Sequence, residues 1–197
     1  VDGPAGAGKS TVALRLAERL GGVRLDTGAI YRTVALLAHE AGIPWEDGAA
    51  LADLATEMEL RFVATEGGQR VVVGGRDVSE DIRTPLMSRG ASEVSRHAEL
   101  RAALLEVQRG FGADGLVVAE GRDMGTTVFP DALVKLYLTA SPEVRARRRW
   151  KELEAKGAPV SYEEVLADQI ARDQADTQRE VAPLRKAEDA LEVDSTG

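Results

Sequence analysis

The chain has no cysteine, which excludes a disulfide framework, a thiolate zinc site and a cysteine nucleophile. Only two histidines occur, His39 and His97, and they leave little room for an imidazole metal centre. No apolar run approaches the ~18 residues that span a bilayer, and no secretory leader is visible. A cytoplasmic protein without a membrane partner is therefore expected. Lysine is scarce, five residues against twenty arginines, and the net charge is −8. The broad basic face that nucleic-acid binding requires is thus missing, and no nucleic-acid partner is expected. A length of 197 residues with 44% hydrophobic and 29% charged content describes a globular chain with one core. We expect a single domain over 1–197 that works as a monomer.

What is present is concentrated at the start. Gly3, Pro4, Ala5, Gly6, Ala7, Gly8, Lys9 and Ser10 satisfy G-x-x-x-x-G-K-[ST], with Thr11 following. The glycines let the backbone turn tightly and aim N–H groups at oxyanions. Lys9 can reach β- and γ-phosphates, and the Ser10 hydroxyl can ligate Mg²⁺. Val12, Leu16 and Leu20 then form the apolar ridge of a helix whose positive N-terminus faces the same phosphates. Only Val1 and Asp2 precede the loop, so the chain is expected to begin inside its first strand.

Further on, Val23–Asp26 reads as a strand and residues 28–41 as a helix. A second helix is expected over 49–59. Leu60–Ala64 and Arg70–Val73 form a hairpin around Glu66-Gly67-Gly68-Gln69, with a third short strand near Asp77-Val78. Thr84-Pro85 caps a helical stretch that breaks near His97 and runs to about Arg109. After a loop at 110–115, Leu116–Ala119 reads as a strand buried on both faces, and Leu133–Leu138 as another. Ser141-Pro142 opens a helix that Gly157 closes. Ser161 and Glu164 form a capping box for a helix reaching about Arg179, and Ala190–Val193 is a last strand. Strands alternating with helices indicate an α/β fold with a central parallel sheet. The hairpin region does not fit that rhythm and reads as an insertion.

Several charged groups fall at carboxyl ends of strands, where open α/β sheets bind ligands. Asp26-Thr27-Gly28 with Arg32 is one such place, suited to an anion or to an ordinary helix cap. Glu120-Gly121-Arg122-Asp123 is another. There the guanidinium can hold phosphate and the carboxylate a base amino group, or the two can form a surface ion pair. Arg172, Asp176 and Arg179 share one helical face, as ligand contacts or as an intrahelical pair. Arg145, Arg147, Arg148 and Arg149 form a run that is either a solvated face or a source of cations for a transferring phosphoryl group.

Taken together, residues 3–10, Asp26–Arg32, Gly121–Thr126, Val128–Ala132, the Arg172–Leu184 block and Asp194-Ser195-Thr196 closely resemble the bacterial cytidylate kinase family, in family order across the chain. The resemblance implies Mg²⁺-dependent phosphoryl transfer from ATP to CMP or dCMP. The implied fold is the three-layer P-loop NTPase fold, with a monophosphate-binding insertion near 42–110 and a short lid near 145–162. By the same resemblance, residues 3–11 serve ATP and Ser10 the metal. Thr27, Arg32, Arg122, Arg172 and Arg179 surround the monophosphate and its sugar. Ser92, Arg101 and Asp123 meet cytosine, and Asp176 meets the ribose hydroxyls. Lys9, Arg122, Arg148 and Arg149 are the implied catalytic cations.

Overall fold

The computed structural model describes residues 1–66, 68–113 and 115–197. Its elements in chain order are α1 (Lys9–Leu20), β1 (Val23–Asp26), α2 (Thr27–Ala41), α3 (Gly48–Glu57), β2 (Leu60–Thr65), β3 (Gly68–Val73), β4 (Arg76–Asp77), α4 (Pro85–Val94) and α5 (Ala98–Gly110). They are followed by β5 (Val117–Glu120), β6 (Leu136–Thr139), α6 (Pro142–Ala155), α7 (Tyr162–Gln178) and β7 (Leu191–Asp194). The α/β class expected from the sequence is the class found. Two compact units are resolved, one of residues 1–15 and 120–197, the other of residues 16–119.

In the first unit, Asp2 forms parallel bridges to Gly121 and to Tyr137 of β6, and β6 pairs in parallel with β7 from Leu136↔Leu191 to Thr139↔Asp194. The chain ahead of the phosphate loop is thus threaded between two strand ends. Helix α6 begins where the sequence places it, with Ser141 Oγ accepting from Val144 N at 3.3 Å and Pro142 in the first turn. The α7 capping box is complete, since Ser161 and Glu164 each accept from the other's backbone N–H. Helices α6 and α7 pack on each other.

In the second unit, β1 lies beside β5. Helix α2 packs against α4, and α3 against α5. Ile30, Val34, Leu51, Leu100 and Leu104 are fully buried there, each such side chain contributing about 1.5–3 kcal/mol of transfer free energy. The antiparallel sheet β2-β3-β4 is the expected hairpin with its third strand. Gly67 of the expected turn and Asp114 of the expected 110–115 loop lie outside the described residues. Thr84 caps α4 through Met87 N at 3.2 Å, with Pro85 at the first position. His97 marks the break before α5.

Two expectations need correction. The strand read over Leu133–Leu138 begins only at Leu136, and Leu133 is 101% exposed. Ala132 N donates back to Phe129 O in a turn that contains Pro130, and the register with β7 starts at Leu136, with Leu191 N donating to Lys135 O at 2.9 Å. The strand at 116–119 is not buried on both faces: Leu116 is half exposed and Val117–Ala119 are half-buried. Apolar content alone did not decide its burial. No helix among the described residues is long and apolar enough to cross a membrane.

Candidate active site

The phosphate loop is built from its neighbours inward. Gly3 has φ +145° and passes so near β6 that a Cβ there would lie 1.9 Å from Leu138 O. Only glycine meets both conditions. Gly6 and Gly8 also have positive φ, at 76° and 95°. Lys9 is buried and its Nζ donates to Pro4 O at 2.7 Å, closing the loop on itself. Burial pushes the Lys9 ammonium well below its ordinary value, Arg122 and Arg172 push it further, and Glu120 and Asp2 oppose them. Ala7 is buried, and its carbonyl accepts from Ser195 Oγ at 2.9 Å. Ser10 and Thr11 are exposed at the start of α1, and Ser10 Oγ donates to Glu120 Oε2 at 2.8 Å.

Beside that loop, in the same unit, lies a cluster of alternating charge. Arg122 Nε donates to Asp176 Oδ2 at 2.8 Å, and Arg179 Nη2 stands 3.8 Å from Asp123 Oδ1. Arg179 Nε also donates to Ala182 O at 2.6 Å. Asp123 and Asp176 are 3% and 5% exposed, so both pairs are buried at the carboxylate. For Asp176, burial acts to raise the carboxyl, but Arg122, Arg172 and Arg179 outweigh it and hold the group below its ordinary value. Arg172 is half-buried on the same helix. The segment that follows Asp123 is a wide helical turn, Met124–Val128, in which Phe129 N reaches back to Met124 O at 2.7 Å.

In the second unit, Asp26 does two jobs. Its Oδ1 caps α2 through Ala29 N at 2.9 Å, and its Oδ2 accepts from Arg32 Nη2 at 3.2 Å and Arg24 Nη2 at 3.3 Å. Thr27 is buried at the first position of that helix. Arg101 is buried, donates to Ser95 O at 3.2 Å, and lies over the Tyr31 ring at 5.4 Å. Ser92 is half-buried in α4, and its carbonyl accepts from Ser95 Oγ at 3.1 Å.

The arginine run of α6 divides. Arg148 Nη1 donates to Ser195 Oγ at 3.1 Å, and its Nη2 to Ser195 O. Arg149 is one-third exposed and pairs with Glu152 at 3.2 Å. Arg145 is buried, which its place in a run of four cations did not suggest. Sequence reasoning also missed Asp2, a buried carboxylate that accepts from Met124 N and Gly125 N at 2.8 Å each. Burial raises Asp2 above its ordinary value, partly offset by those two N–H donors. Its partners lie more than a hundred positions away, and no local pattern signals such a bond.

The family described as Cytidylate kinase matches residues 1–197. A cytidylate kinase of Geobacter sulfurreducens is 51% identical over 197 residues, covering 100% of this chain and 84% of that protein. One from Carboxydothermus hydrogenoformans is 51% identical over 197 residues, covering 100% and 89%. One from Pasteurella multocida is 47% identical over 196 residues, covering 100% and 86%. With a match over its whole length, this chain belongs to the cytidylate kinase family.

Proposed function

We propose that the chain transfers the γ-phosphoryl group of ATP to CMP or dCMP, giving ADP and CDP or dCDP. Beyond the family itself, the observation that carries this reading is the buried ammonium of Lys9, held on its own loop at Pro4 O. Burial, and after it Arg122 and Arg172, depress that ammonium, with Glu120 and Asp2 opposing them. A polyphosphate in the loop would give that buried ammonium a counter-charge.

A phosphate oxygen of the acceptor attacks the γ-phosphorus in line, the bond from that phosphorus to the β,γ-bridging oxygen breaks, and ADP leaves with the electron pair. The nucleophile is already anionic, so no general base is needed. The protein's share is positioning and electrostatic stabilisation. Lys9 and the loop N–H groups of residues 3–11 hold the donor. Thr27, Arg32, Arg122, Arg172 and Arg179 hold the acceptor phosphate and sugar, with Asp176 toward the ribose hydroxyls. Ser92, Arg101 and Asp123 read the base. Residues 42–110 act as the monophosphate-binding insertion and 145–162 as the lid, from which Arg148 and Arg149 reach the transferring group.

Mg²⁺ fits the donor set. Ser10 Oγ and a buried Glu120 carboxylate stand 2.8 Å apart, both hard oxygen ligands. Among the described residues no group of three or more His, Cys, Asp or Glu could hold a metal alone, which suits an ion shared with substrate phosphates. Bound there, Mg²⁺ would supply charge neutralisation on the β- and γ-oxygens.

The test is ADP release from ATP against a panel of nucleoside monophosphates. CMP and dCMP should be preferred over UMP, AMP and GMP. Turnover with another acceptor, and none with the cytosine nucleotides, would contradict the reading.

A further inference from the structure

Arg145 stands apart from the other arginines of α6. Its side chain is 4% exposed, and each guanidinium nitrogen has a partner. Nε donates to Ala140 O at 2.8 Å, Nη1 to Ala5 O at 3.1 Å, and Nη2 meets Asp173 Oδ2 at 2.7 Å. Gln169 of α7, also buried, donates its Nε2 to the same Ala5 carbonyl at 2.5 Å. The tip of the phosphate loop is therefore held by α6 and α7 together. The fit is close, since a Cβ on Gly6 would lie 3.0 Å from Gln169 Nε2 and 3.1 Å from Arg145 Cβ.

Arg145 cannot swing over a phosphate as a lid cation could. Doing so would break three bonds and leave Asp173 without its cation, and Asp173 Oδ1 is already a buried oxygen with no hydrogen-bond partner among the described residues. Removing one member of a buried charge pair is costly because the other charge stays behind. What Arg145 can do is join two places. Ala5 belongs to the loop read as the donor site. Asp173 follows Arg172 directly and precedes Asp176 by one helical turn, and both are read as acceptor contacts.

We propose that Arg145, braced by Gln169, is a positioning residue that couples donor and acceptor binding. Triphosphate in the loop fixes Ala5 and Gly6, Ala5 fixes the guanidinium, and the guanidinium fixes α7 through Asp173. Arg172 and Asp176 are thereby set for the acceptor, and by linkage the acceptor tightens the donor equally. This rests on the nucleotide assignment given under Proposed function.

The experiment is calorimetric titration of the full chain with a non-hydrolysable ATP analogue plus Mg²⁺, and with CMP. Each ligand is titrated alone and with the other saturating. Wild type, Arg145→Lys, Asp173→Asn and the double variant are compared at a temperature where thermal melts show each is folded. In wild type each nucleotide should tighten the other at least about fivefold. Either single variant should bring that ratio close to one, while affinity for each nucleotide alone changes less than about threefold. The double variant should lose no more coupling than a single one, because both act through one contact. Asp173→Asn keeps the side chain's shape, so it carries the test if Arg145→Lys does not fold. A scaffold role alone would weaken both nucleotides together and leave the ratio in place. Coupling that survives in the variants, or is absent from wild type while both nucleotides bind, overturns this proposal alone. Absence of CMP binding to wild type overturns the nucleotide assignment, and this proposal with it.

Discussion

Arg122 and Asp176 are bonded to each other at 2.8 Å, with the carboxylate 5% exposed. The guanidinium read as a phosphate contact and the carboxylate read as a sugar contact therefore hold one another in place. Preorganisation of this kind lowers the ordering cost of association. It also ties the pair to pH. Arg122, Arg172 and Arg179 hold Asp176 below its ordinary value of 3.8 despite burial. A depressed carboxyl adds stability that is complete above the unfolded value and disappears as pH falls through the folded one. The chain should therefore lose stability below about pH 4, and Asp176→Asn should make that acid limb shallower. Denaturant melts across pH 2–6 read this directly. An unchanged limb would remove Asp176 from the argument.

Gly3→Ala tests the entry to the phosphate loop. The new Cβ would meet Leu138 O and sit at a φ that L-residues rarely adopt. Overpacking and backbone strain together should cost about 3 kcal/mol or more, seen as a large drop in melting temperature or loss of folded protein. A melting temperature within a degree or two of wild type would mean that strand β6 can move aside.

Arg148→Ala should lower kcat by about a hundredfold, the scale found when one charge-stabilising donor is lost, with CMP KM changed much less. Arg149→Ala should act in the same sense. In the structure Arg148 is engaged with Ser195, so its catalytic use requires that it leave this partner. Steady-state assays decide the matter: a rise in KM at constant kcat would assign Arg148 to binding instead.

Asp123→Ala should narrow the preference for CMP over UMP by at least about tenfold, since hydrogen-bonded base readout can reach ~10⁴. A carboxylate accepts from the exocyclic amino group of cytosine and repels the carbonyl of uracil. The ratio of kcat/KM for the two nucleotides is the readout, and an unaltered ratio would exclude Asp123 from base choice.

Features that depend on contiguous residues were legible in the sequence. The phosphate loop is one run of residues, and the Ser161–Glu164 capping box and the Thr84-Pro85 start are fixed within a single turn. Features that depend on distant partners were not. Arg145 and Arg149 share a helical face and a charge, yet one is buried on Ala5 and Asp173 while the other is partly open to solvent. What distinguishes them lies 140 positions away at Ala5. Leu133 and Val134 carry strand-forming side chains, but the register with β7 begins at Leu136, beyond them. Asp26 was read within a helix-opening motif. Its second oxygen is shared by Arg24 and Arg32, two and six positions away, an arrangement set by how β1 turns into α2.

The most direct measurement is a crystal structure of the chain with CMP and a non-hydrolysable ATP analogue bound. The CMP phosphate should lie within hydrogen-bonding distance of Arg32, Arg122 and Arg179, and the analogue's β- and γ-phosphates within reach of Lys9. A cytosine nucleotide bound away from those three arginines would contradict the assignment of the acceptor site, whatever activity the protein showed.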